Sequence, residues 1–177
     1  MISYLKPFSL SIRDLGYFSI PSLRMIQNKS AYYLSRLSIT SYVYLNEDDI
    51  EPLNVPKFLQ KMQIEGASSI NRIVFIGQKE RFKTRLVAVK VPTEVCKQRT
   101  AKYKKERKKS PSQYYEEWCG YSIFITNIPE SIFSGAMIID LYKIFPSLGE
   151  SSLLLKGSLH LFAHSLKIVL IFKKEMM

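Results

Sequence analysis

The densest chemistry in this sequence is a run of cations. Lys97, Arg99, Lys102, Lys104, Lys105, Arg107, Lys108 and Lys109 set eight positive side chains against one negative, Glu106. This one segment therefore carries a net +7 of the chain's +11. Exposed cations at such density gain affinity for phosphates by releasing condensed counterions, and they position a duplex without reading its bases. Other candidate groups are sparser. Cys96 and Cys119 are not in a CxxC, and the histidines lie far from them in sequence, so no structural zinc site is expected. Two free thiols fit a reducing cytoplasm. His160 and His164 have the i, i+4 spacing that chelates a metal on a helix, but without further ligands nearby they are read as non-ligating.

The elements that must carry these groups can be placed from local patterns. With 177 residues, 46% of them hydrophobic, the chain is long enough for one domain with a core. A net charge of +11 and a pI near 9.6 favour a polyanionic partner, either nucleic acid or an anionic membrane face. The first residues, Met1 to Leu10, lack the apolar core of a secretory signal. Leu153 to Phe172 is apolar but interrupted by Lys156, His160, His164 and Lys167, so no membrane span is expected there.

Ser9 to Ile12 reads as a strand closed by the turn Arg13-Asp14-Leu15-Gly16. A helix is expected over Pro21 to Asn28 with Ser22 as cap. Strands are expected over Ala31–Leu37 and Tyr42–Leu45, followed by an acidic surface loop from Asn46 to Pro56. Ile70–Ile76 and Arg81–Val91 read as a hairpin turning at Gly77 to Glu80, with Val87, Val89 and Val91 on one face. The basic helix should run from Thr93 through Lys109 and stop at Ser110-Pro111, with charge all round it and no face suited to a core. A short aromatic segment, Tyr114–Cys119, precedes a strand over Tyr121–Thr126. A last helix, capped by Ser131 or Ser134, carries Met137, Ile138, Leu141 and Ile144 at helical spacing.

Three stretches taken in order resemble the DDE transposases of bacterial insertion sequences, specifically the family numbered four. They are Ile12-Arg13-Asp14-Leu15-Gly16-Tyr17-Phe18; Arg85-Leu86-Val87-Ala88-Val89-Lys90-Val91-Pro92 with the basic helix behind it; and Ser122-Ile123-Phe124-Ile125-Thr126-Asn127-Ile128-Pro129 followed by Ile138-Ile139-Asp140-Leu141-Tyr142-Lys143-Ile144. The resemblance covers about residues 9–144. It implies an α/β fold: a partial ribonuclease-H-like core with a β-rich insertion at about 30–92 and a long basic helix at 93–109. Residues 1–144 would be a partial catalytic domain, and 145–177 a divergent tail.

The resemblance also implies cut-and-paste DNA transposition: two phosphoryl displacements assisted by Mg²⁺ or Mn²⁺ held between carboxylates. The intact family's partner is DNA, at transposon ends and target, with a homodimer as the assembly. A bacterial cytoplasmic, nucleoid-associated location follows, with no membrane partner. Asp14 matches the second of the three acidic residues and is the candidate catalytic and metal-binding group. The first is expected before Met1. Tyr142 matches the Tyr of the third motif, but Phe145 stands at its Arg position and Gly149 at its Glu position; Glu150 is off by one, and Pro146 interrupts the helix. Permitted codons for Glu150 to Lys156 can encode Ile-Glu-Leu-Ile-Ile-Lys in a neighbouring frame, so a frameshift near Phe145 is one expectation. The catalytic set being incomplete, the chain is expected to bind DNA and not to cleave it. The competing readings are a non-enzymatic basic nucleic-acid-binding protein and a peripheral membrane protein using the basic helix and apolar tail.

Overall fold

The computed structural model describes residues 5–13, 15 and 18–144, together with the backbone of 167–170. Asp14, Glu150, His160, His164 and the tail segment proposed to be frameshifted lie outside the described residues. Among those described, the elements follow in the order β1 (Ser9–Arg13), α1 (Ile20–Asn28), β2 (Tyr32–Arg36), β3 (Val43–Tyr44), α2 (Val55–Ile64), β4 (Ser69–Ile76), β5 (Phe82–Lys90), α3 (Thr93–Arg107), α4 (Gln113–Cys119), β6 (Tyr121–Thr126), α5 (Gly135–Ile144) and β7 (Lys167–Leu170). The class is mixed α/β. The chain divides into two compact units, one of Met1–Leu37 with Ile125–Met177, the other Ser38–Phe124.

In the first unit the strand order is β2-β1-β7, with Ile125 and Thr126 at the end of β6 beside β2. β1 pairs in parallel with β2, Leu10 opposite Tyr32, and with β7, Leu10 opposite Ile168. A parallel pair needs a crossover, and α1 supplies it between β1 and β2. All five residues of β1 are buried, as befits a strand with neighbours on both edges. Leu10 and Ile12 alternate with Ser9, Ser11 and the buried Arg13, so one face of the strand is aliphatic and the other polar. The cap of α1 is Ser19, not Ser22: the Ser22 N–H donates to Ser19 Oγ at 3.3 Å. Pro21 falls inside the first turn, where its missing N–H costs nothing, and this shifts the helix start back by one residue. Leu23 and Ile26 form its buried stripe.

The Thr126-Asn127 pair closes this unit. Thr126 Oγ1 donates to the Tyr33 carbonyl at 2.6 Å and accepts the Ile128 N–H at 3.1 Å. Asn127 Oδ1 accepts the Tyr33 N–H at 2.8 Å, while its Nδ2 donates to the Ala31 carbonyl at 2.9 Å. The two side chains thus continue the backbone ladder beyond the end of β6 and fix where β2 begins. Ser134 caps α5 through the Met137 N–H at 3.3 Å, and Ile138 and Leu141 form its buried face.

The second unit has the order β3-β4-β5, followed by the Tyr121–Phe124 part of β6. β4 and β5 form a long antiparallel ladder from Ser69 opposite Val89 to Ile76 opposite Phe82. The turn between them opens at Gly77, whose φ of 107° excludes most side chains. Thr84 to Ala88 of β5 are buried on both faces, and Val89 is half-buried. The stretch 30–92 carries strands β2 to β5. β2 belongs to the first unit by its pairing with β1, and the helix α2 interrupts the rest. That helix starts within the expected loop Asn46–Pro56, because Asn54 Oδ1 accepts the Lys57 N–H at 3.2 Å and Pro56 occupies the first turn. Val55, Pro56 and Leu59 are its buried residues.

Arg81 ties the loop after β3 to the β4–β5 turn. Its guanidinium lies 3.3 Å above the Tyr44 ring centroid and donates to the carbonyls of Glu47, Gly77, Gln78 and Asp49. Asp49 closes the same loop by accepting the backbone N–H groups of Asn46 at 2.9 Å and Leu45 at 3.1 Å. The Asn46 bonds are the main reason its carboxyl sits below the usual range. None of the helices among the described residues is long and apolar enough to cross a membrane.

Candidate nucleic-acid interface

The basic segment does fold as a helix, but it ends at Arg107 and not at Lys109. Lys108 adopts the left-handed conformation, φ 52° and ψ 30°, and its N–H bonds the Lys104 carbonyl at 2.9 Å. Termination therefore comes from this cap, before Ser110-Pro111 is reached. Lys104, Lys105 and Arg107 occupy the last turn and Glu94 the first, the polarity that the helix dipole favours. A Lys in the left-handed region costs about 1 kcal/mol that glycine avoids. Lys108→Gly should therefore raise stability by up to about 1 kcal/mol in denaturant titrations. No change or a loss would mean that the Lys108 side chain contributes packing.

The expectation of charge all round the helix is corrected. Cys96, Arg99, Thr100 and Tyr103 recur at i, i+3, i+4 and i+7 and are half-buried, forming an inner face toward α4. The Tyr103 and Tyr115 rings meet at 4.2 Å. Thr100 Oγ1 donates to the Cys96 carbonyl at 2.9 Å, and the Cys96 thiol reaches the Glu116 carbonyl at 3.8 Å. α4 in turn is capped by Ser112, whose Oγ accepts the Tyr115 N–H at 3.3 Å. The short aromatic segment is thus a helix, and it is the support on which α3 rests.

Arg99 stands apart from the other cations. Its guanidinium donates to the carbonyls of Cys119 at 3.1 Å and Tyr121 at 2.7 Å, and to Ser122 Oγ at 3.0 Å. These bonds join α3 to the end of α4 and the start of β6. Lys97, Lys102, Lys104, Lys105, Arg107, Lys108 and Lys109 are all exposed. At 100° per residue, Lys97, Lys102, Lys104 and Lys105 spread over about 160° of the side opposite the inner face. Lys102 approaches Glu106 at 3.7 Å. Among the described residues none of Lys97, Lys104, Lys105, Arg107, Lys108 or Lys109 is in an ion pair. The result is a cationic strip with little internal neutralisation.

Burial holds the Tyr115 hydroxyl up at about 12, with the neighbouring Cys119 thiol the next cause. The folded state thus favours the protonated phenol. Stability from this group is complete below its ordinary pKa of 10.0 and declines as pH rises toward about 12. Alkaline melts should show a loss in that window which Tyr115→Phe reduces, the remainder coming from Tyr114, Tyr121 and Cys119, which burial also pushes up. An identical alkaline loss in the Phe variant would assign it elsewhere.

Of the acidic groups described in the first unit, Glu130 and Asp140 are exposed, and Asp140 accepts from Lys143 Nζ at 2.9 Å. Tyr142, on the same helix, is half-buried. Among the described residues no three His, Cys, Asp or Glu side chains gather as ion ligands. The described donors do not fit a divalent ion by themselves, and no metal-assisted step is assigned to them.

The sequence is similar to transposases of insertion elements. It is 28% identical over 156 residues to the transposase of element IS231B from Bacillus thuringiensis subsp. berliner, an alignment covering 79% of this chain and 33% of the relative. For the IS231F transposase of subsp. israelensis the identity is 27% over 157 residues, with 79% and 33% covered. For the IS231E transposase of subsp. finitimus it is 25% over 159 residues, with 81% and 33% covered. The chain thus spans about a third of the length of the curated relatives it matches. No family model matches the chain, and no solved structure matches it.

Proposed function

We propose that this chain is a DDE-type cut-and-paste transposase segment with a partial ribonuclease-H-like core, whose own activity is sequence-independent binding of duplex DNA through α3. The observation that carries the binding part is the exposed cationic strip from Lys97 to Lys109, mounted on α4 by its opposite face. The transposase part is supported by similarity to three insertion-element transposases. Lysine ammoniums are point charges suited to phosphates. Arg99, otherwise able to grip a guanine edge in bidentate fashion, is held by backbone carbonyls and Ser122. Contacts to phosphate should therefore dominate over contacts to bases.

Asp14 is proposed as the family's second metal-binding carboxylate, with Mg²⁺ or Mn²⁺ as the ion in the intact assembly. DNA strand transfer by this chain alone is not expected, since Phe145 and Gly149 replace the third motif's Arg and Glu. A fluorescence titration against an arbitrary duplex at several salt concentrations tests the binding. Micromolar affinity with a slope of log K on log salt near −5, from about six phosphate contacts, is expected. A flat salt dependence, or strong preference for one sequence, would remove the proposal. Asp14→Ala should leave that titration unchanged.

A further inference from the structure

We infer that Cys96 and Cys119 form a thiol–disulfide switch that sets the rigidity of the α3–α4 hairpin; this rests on the DNA-binding reading of α3 for its consequence, though not for its chemistry. Two helices meet here through a short list of contacts. Cys96 begins the inner face of α3, and its thiol reaches the carbonyl of Glu116 at 3.8 Å. Cys119 lies three residues beyond Glu116 on α4, on the same side of that helix. Its carbonyl is bound by Arg99, and its thiol has Tyr115, Thr100 and Cys96 as interacting neighbours. Thr100 is one turn after Cys96 on α3 and bonds the Cys96 carbonyl. Both cysteines therefore belong to one helix–helix contact, Cys96 through the Glu116 carbonyl and Cys119 one turn further along α4.

Their environments differ, and this sets which sulfur reacts first. Cys96 is half-exposed and Cys119 is buried, at 3% exposure. Burial also holds the Cys119 thiol above its ordinary range, so its resting form is the poor nucleophile. Cys96 is the sulfur that solvent-borne oxidants reach first. A small disulfide such as oxidised glutathione supplies the two-electron oxidation. The Cys96 thiolate attacks one of its sulfurs and displaces one glutathione thiolate. Cys119 then loses its proton and attacks the Cys96 sulfur of the mixed disulfide, expelling the second glutathione. Two protein thiols are oxidised and one small disulfide is reduced to two thiols. The new bond links the first turn of α3 to the last residue of α4, so fraying of α3 from its support is suppressed.

Treating the full chain with oxidised glutathione tests this. The expected result is an intact mass 2 Da lower, a Cys96–Cys119 cross-linked peptide, and a Tm higher by roughly 5 to 10 °C. Duplex affinity should rise about threefold, since the lysines are then presented on a fixed helix. Cys96→Ser, at the half-exposed position, should abolish all of these changes while leaving reduced-state binding intact. A stable glutathione adduct, an intermolecular dimer, or a cross-link without a Tm change would overturn the inference. Equal affinity of the oxidised and reduced forms would overturn its regulatory consequence. If the cross-link and Tm shift appear but neither form binds DNA, the DNA reading fails and the thiol switch stands.

Discussion

Charge reversal at Lys102, Lys104, Lys105 and Arg107 to Glu should lower duplex affinity by about three orders of magnitude near physiological salt. Each lost phosphate contact removes roughly 0.9 from the salt slope and several-fold in affinity, and four losses compound. The variant's slope should fall from about −5 to about −2. The four residues are exposed, and none is held by the bonds that anchor α3, so folding should be retained. Three of the reversals oppose the helix dipole in the last turn of α3 and the fourth faces Glu106, so a modestly lower Tm is expected, and binding is compared where circular dichroism shows the variant folded. Arg99→Glu is the contrasting variant. It breaks the bonds to Cys119, Tyr121 and Ser122, and should destabilise the second unit more than it weakens DNA binding at fixed folded fraction. An unaltered salt slope in the quadruple variant would show that the strip is a solvated face with no phosphate partner.

Asn127→Ala should cost about 2–4 kcal/mol of stability, the largest effect expected from a single polar substitution here. The amide satisfies the Tyr33 N–H and the Ala31 carbonyl at once, and both residues are buried. Truncation leaves a donor and an acceptor without this partner in a place that water reaches poorly. A buried group left unsatisfied costs about 1–3 kcal/mol. Asn127→Asp keeps the acceptor for the Tyr33 N–H but loses the donor to Ala31, and should fall between. Thr126→Val removes the hydroxyl that donates to the Tyr33 carbonyl and accepts from Ile128, and should cost about 1–3 kcal/mol. Urea denaturation followed by hydrogen exchange at β2 measures all three. An Asn127→Ala midpoint within error of the parent would show that the ladder extension is redundant. Because these bonds lie within the first unit, exchange in β4 and β5 should change less than exchange in β2.

The position of most elements was legible in the residues themselves. β4, β5, β6, α1 and α5 lie within a residue or two of their expected bounds, since their apolar periodicity and flanking turn residues act locally. The Thr-Asn pair was visible as part of a resemblance, but its reason was not: the partners are more than ninety residues away in β2. α2 was passed over because its first residues continue an acidic, Pro-containing loop, and only the Asn54 cap separates loop from helix.

For the candidate site, the sequence by itself determined that +7 of the net +11 charge falls on one helical segment, and that the chain carries transposase-like motifs in order. The tertiary structure decided how that charge is used. A helix built of lysines has no apolar stripe to announce a buried side, so sequence alone gives cations on every face. Packing of Tyr103 on Tyr115 and the bonds of Arg99 select one side as the inner face. That choice leaves the remaining cations on the solvent side, removes Arg99 from the set able to meet DNA, and brings Cys96 toward Cys119. Each of these outcomes depends on contacts between residues some twelve to twenty-three positions apart, and local sequence pattern carries no information about such pairs until the chain folds.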